Sequence, residues 1–142
     1  MREIKFRAWD IRNKVMYLDV HYLDSLNQMI CEDNYVVEQF TGLKDKNGVD
    51  IYEGDKLSMD TYKVLASDNS KINGSEHTNI YVVEWSTKNF VTGWQIRMIE
   101  TSKESNFGIG QIADTSLYVY LRKCEVIGNI HKEINDKIET DE

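Results

Sequence analysis

Along most of the chain, apolar and polar residues alternate in short runs separated by turn-forming residues. A period of two puts successive side chains on opposite faces of an extended strand. Ile4-Lys5-Phe6-Arg7-Ala8-Trp9 has that period, with Ile4, Phe6 and Ala8 on one face and Lys5, Arg7 and Trp9 on the other. A polar break at Asp10 to Lys14 leads into Val15 to Leu18, which reads as the return strand of a hairpin. Tyr35 to Phe40 predicts the next strand. Asn47-Gly48 then predicts a type I′ hairpin turn, because both residue types tolerate positive φ, and Val49 to Tyr52 returns. After the break at Glu53-Gly54-Asp55, strands are expected over Lys56 to Ala66, Ile80 to Trp85, Phe90 to Ile99 and Glu125 to Ile130. Thr87-Lys88-Asn89 joins the middle pair as a hairpin, and the almost wholly polar residues 67–78 predict an exposed loop.

Helical spacing is scarcer. Asp24 to Cys31 sets Leu26, Met29 and Ile30 on one side behind a capping Asp24 or Ser25. Leu117 to Leu121 fits strand or helix, and Ile134 and Ile138 give the tail a fraying helical pattern. Short strands without βαβ alternation define a mainly β (α+β) fold: a small curved antiparallel sheet or β-barrel with one or two short helices. A chain of 142 residues is one domain's worth. It divides into a hairpin over about residues 1–20, a barrel core over about 34–131 and an acidic tail from about 132 to 142. Glycines within strands, at Gly54, Gly93 and Gly128, ease the curvature, and Trp9, Trp85 and Trp94 supply large buried rings.

Composition adds three constraints. Proline is absent, so turns must be made by Gly, Asn and Asp. Cys31 and Cys124 form no CxxC pair, and the N-terminus lacks the apolar core of a secretory signal. Both observations predict a reduced cytoplasmic protein with two small buried thiols. No apolar run reaches the ~18–20 residues of a membrane span, which predicts no membrane partner. The net charge is −7, unevenly placed: residues 1–14 hold five basic and two acidic groups, residues 15–55 two basic and nine acidic. The basic strand is therefore expected to pair with the acidic segment, within the fold or between subunits.

Chemical signatures are few. His21, His77 and His131 lack ligand spacing, so no metal is expected. There is no GxSxG, no P-loop and no cysteine setting of a known nucleophile. No catalytic residue and no cofactor is expected, and the chain reads as a non-enzyme. Lys5, Arg7, Trp9 and Arg12 interleave base with aromatic and are the candidate contacts if a nucleic acid is bound. The acidic body argues against that, since affinity for phosphate backbones comes largely from Lys and Arg.

Four blocks in order carry a resemblance: Ile4 to Asp10, Phe40 to Asp55, Val82-Val83-Glu84-Trp85, and Glu125 to His131. Together they resemble the YopX family, small proteins of phages and prophages of low-GC Gram-positive bacteria. The resemblance implies a β-barrel domain, a phage or prophage origin and homo-oligomer assembly, and implies no enzymatic activity; with the acidic body and the missing catalytic signature, a host or phage protein is the expected partner. Its signature positions here are Trp9, Gly42, Asn47, Gly48, Gly54, Asp55, Trp85 and Gly128. Turn chemistry and packing account for these residue types, so they read as structural.

Overall fold

The computed structural model describes residues 3–18, 20, 23–88, 92–103, 108–113 and 116–131. The tail from 132 and Phe90 lie outside them. The strands run β1 (Phe6–Asp10), β2 (Val15–Tyr17), β3 (Tyr35–Lys44), β4 (Asp50–Tyr52), β5 (Asp55–Thr61), β6 (His77–Ser86), β7 (Gly93–Thr101) and β8 (Glu125–Asn129). Helix α1 (Leu23–Cys31) lies between β2 and β3, and a 3₁₀ turn (Leu117–Tyr120) precedes β8. The fold is mostly β, as the alternation predicts. Its strands form two four-stranded antiparallel sheets, ordered β2-β1-β3-β4 and β7-β6-β5-β8, curled as a half-barrel.

Aspartates build the turns of this proline-free chain. Asp10 accepts the backbone N–H groups of Arg12 and Asn13 at 3.0 Å and the Asn13 amide at 2.8 Å, folding β1 onto β2. These bonds, the Asn13 backbone N–H first, hold the Asp10 carboxyl below its usual range. At the β3–β4 connection, Asp45 Oδ1 accepts from Asn47 N and Val49 N at 2.8 and 2.9 Å. The turn closes with Gly48 N–H on the Asp45 carbonyl. Gly48 has φ +79 while Asn47 keeps a negative φ. The connection is therefore not the expected type I′ turn; one left-handed residue suffices because the Asp45 carboxylate organises the rest. Gly42 lies in the irregular part of β3, where pairing with β4 shifts between Phe40 and Lys44.

The core sits mainly on the second sheet, with Ile51 joining it from β4 of the first. Ile51, Leu57, Met59, Val83, Ile96, Leu117 and Cys124 form one buried cluster, each large aliphatic chain contributing roughly 1.5–3 kcal/mol by leaving water. β5 alternates cleanly, with Asp55, Leu57 and Met59 turned inward. Lys56 opposes Gly128 and Leu57 opposes Val126, so Ile127 is an extra residue that bends β8. Burial pushes the Cys124 thiol up to about 11. Cys31 is exposed, against expectation: the last turn of α1 carries Ile30 and Cys31 to the surface. Trp9 is buried and Trp94 half-buried, but Trp85 is exposed beside Trp94, edge to face at 5.1 Å between centroids. The reading of three buried tryptophans thus holds for Trp9 and fails for Trp85.

Candidate functional site: a buried charge cluster between the sheets

Glu53 and Gly54 carry the chain from β4 in the first sheet to β5 in the second. Gly54 has φ +84, donates its N–H to the Val83 carbonyl and accepts from Ile130 N. Against this corner lies a set of ionisable side chains. Arg7, on β1, sits directly opposite Glu38 of β3. Its Nε donates to Glu38 Oε1 at 3.1 Å, its Nη1 to Asp55 Oδ1 at 2.7 Å and its Nη2 to the Glu53 carbonyl at 3.1 Å. The guanidinium lies 4.8 Å from the centre of the Tyr52 ring, in cation–π range. Arg7, Glu38 and Asp55 are all buried.

The network continues on both sides. Asp55 Oδ2 accepts from Tyr52 N at 2.8 Å, fixing the turn. Glu38 Oε2 lies 3.2 Å from His131 Nε2, and the His131 ring stacks on Trp9 at 5.3 Å and 13°. Three strands and the residues after β8 thus meet at one point, and each side of the cluster belongs to a different sheet. Lys5 extends it outward, its Nζ on Asp50 at 2.7 Å; Lys44 holds the other Asp50 oxygen. That paired arrangement, Lys44 first, keeps the Asp50 carboxyl below its usual range.

Two buried carboxylates share one guanidinium in a low-dielectric place, where an ionised group is costly. Desolvation outweighs the attraction of Arg7 and pushes the Asp55 carboxyl up from 3.8 to about 6. Burial raises Glu53 as well. The cluster can therefore take up a proton near neutral pH. It forms one end of a groove of about 760 Å3 whose walls include Lys5, Tyr52, Glu125 and Asn129. Among the described residues no group of three or more His, Cys, Asp or Glu is placed to hold a metal ion.

The sequence's candidates are distributed as follows. Trp9, Gly54 and Asp55 join the cluster. Gly42, Asn47, Gly48 and Gly128 shape turns and bulges, and Trp85 is a surface residue. Of the nucleic-acid candidates Lys5, Arg7, Trp9 and Arg12, the structure buries Arg7 and Trp9 in ion pairs and stacking. Inside the fold, the Arg7 guanidinium meets Glu38, Asp55 and the Tyr52 ring, and the Trp9 ring meets His131. The expected pairing of the basic strand with the acidic segment is what forms instead. Glu38 and His131 are the members that residue patterns did not single out. A signal existed: Glu38 is in phase with buried Phe40, as Asp55 is with Leu57, so each charge occupies an inward strand position.

The fold and site define a class: a curled, mostly β protein whose two sheets are tied by a buried arginine–carboxylate cluster. The chain belongs to the YopX family, whose match extends over residues 19–135. Three of the four resembling blocks fall within that span and Ile4 to Asp10 precedes it. It is also similar to a solved structure, protein EF1440 from Enterococcus faecalis, with 25% sequence identity, all of both chains covered and a TM-score of 0.53. No curated protein matches the chain.

Proposed function

We propose that this is a phage- or prophage-encoded accessory protein that acts without catalysis in the cytoplasm of a bacterial host, by assembling with copies of itself and contacting a host or phage protein. Membership of the YopX family supports the origin. The observation that carries the contact reading is the distribution of apolar surface. Leu18, Trp85, Tyr118 and Val119 are between 55% and 72% exposed, whereas the charges of the central cluster are turned onto one another. Tyr118 and Val119 stand side by side on the 3₁₀ turn, and contiguous exposed apolar surface marks a place where other proteins bind. Among the described residues, no helix is long and apolar enough to cross a membrane.

Light scattering on the eluting peak of a gel-filtration column tests the assembly. The expected mass is a multiple of 16.6 kDa that persists at micromolar concentration. A monomer at that concentration overturns the homo-oligomer.

A further inference from the structure

A second cavity, of about 310 Å3, opens where β5 ends and β6 begins. Asp55 and Thr61 bound β5, so this site stands about 20 Å from the charge cluster at ~3.3 Å per residue. Its wall contains Asn79, which is 95% buried (5% exposed) and pairs with Met59 across the sheet. The Asn79 Nδ2 donates to the Tyr81 hydroxyl at 3.3 Å, and among the described residues its Oδ1 has no hydrogen-bond partner. A buried carboxamide with an empty end is costly unless something else fills it. Turning the amide over exchanges which end is empty and leaves the deficit in place.

The rest of the cavity shows what would fill it. Two aromatic residues, Tyr81 and Tyr120, and three lysines, Lys63, Lys103 and Lys123, are among its lining residues. Among the described residues these three lysines have no carboxylate within ion-pair distance. His77 also lines it, its Nδ1 2.9 Å from the Ser75 carbonyl, and so does one carboxylate, Asp60, whose Oδ1 accepts from the Thr78 hydroxyl at 2.6 Å. In a chain of net charge −7, this is a local excess of positive charge.

We propose that this cavity binds a mononucleotide: the phosphate meets the lysines, the flat ring lies against the tyrosines, and a hydrogen-bonding edge of the base meets the empty end of Asn79. Each part of that ligand answers one feature of the wall. Lysine binds phosphate as a point charge. Aromatic side chains stack on any base. The open Asn79 Oδ1 can accept from an amino or ring N–H group on a base edge. The volume lies at the small end of the range for ligand sites, which suits one nucleotide and excludes a duplex. This site is independent of the protein-contact reading, so either stands if the other falls.

The test is calorimetric titration of the full chain with AMP, GMP, CMP and UMP, and with inorganic phosphate, at low salt. At least one nucleotide is expected to saturate one site per chain at least about tenfold more tightly than phosphate, with affinity falling as salt rises. Asn79→Leu removes the unmet polar group, so it should weaken nucleotide binding at least about tenfold while the melting temperature stays level or rises. Lys103→Glu with Lys123→Glu should weaken it at least as much, and decides the matter if Asn79→Leu fails to fold. Absence of saturation up to millimolar nucleotide, equal affinity for phosphate, or binding indifferent to both variants overturns the proposal.

Discussion

Gly54 is the residue at which backbone and site requirements coincide. Its φ of +84 is one that side-chain-bearing residues adopt at a cost of roughly 1–2 kcal/mol. A Cβ there would also stand 1.9 Å from Glu38 Oε2. Glu38 has little room to retreat, since one oxygen is held by Arg7 and the other by His131. Gly54→Ala therefore has to break a buried ion pair as well as strain the corner, and is expected to cost at least about 3 kcal/mol in urea unfolding. Gly48→Ala is the control: Gly48 also has positive φ, but open space surrounds it, so it should lose only the backbone share. Equal losses in the two variants would mean that Glu38 yields freely and the cluster is not rigid.

At the scale of an element, the β3–β4 hairpin shows how a side chain replaces turn propensity. The Asp45 carboxylate accepts Asn47 N and Val49 N through Oδ1 and reaches Val126 N through Oδ2 at 2.8 Å. It thus closes the hairpin and docks its tip on β8; Lys46 N–H on the Cys124 carbonyl reinforces the contact. Asp45→Ala would leave three donors to find water or go unmet, a loss of about 2–4 kcal/mol. Asn47 is exposed and has ordinary backbone geometry, so Asn47→Ala should stay within about 0.5 kcal/mol. Chemical denaturation of the two variants distinguishes this from a turn that depends on asparagine; comparable losses would restore the type I′ expectation.

Across the whole molecule, the cluster makes the union of the sheets sensitive to pH. Below 3.8 Asp55 is protonated in both folded and unfolded chains. Between 3.8 and about 6 the folded chain keeps a proton that the unfolded chain has released. Asp55 thus favours the folded state most in acid, and that contribution disappears as pH rises through about 6. The full difference amounts to up to about 3 kcal/mol. Asp55→Asn should abolish it, so wild-type stability measured relative to the variant should decline from pH 4 to pH 7. Glu53 acts in the same direction and Asp10 and Asp50 in the opposite one; all three remain in the variant and cancel. A wild-type–variant difference that is constant over this range would show that Asp55 carries no such proton.

What the sequence determined by itself was whatever depends on near neighbours. Alternation set the strands and their faces, because the side-chain period of an extended chain is two. The missing prolines left the turns to glycine, asparagine and aspartate. Even the inward phase of Glu38 and Asp55 is written locally. What tertiary structure alone decided was which distant residues meet. Arg7 and Asp55 lie 48 positions apart and Glu38 and His131 lie 93 apart; no periodicity links them. Two sheets had to be joined at the Gly54 corner before one guanidinium could span both carboxylates. Cys31 and Trp85 teach the same lesson from the surface. Their residue types favour burial, but where the helix and strand end in space decided otherwise.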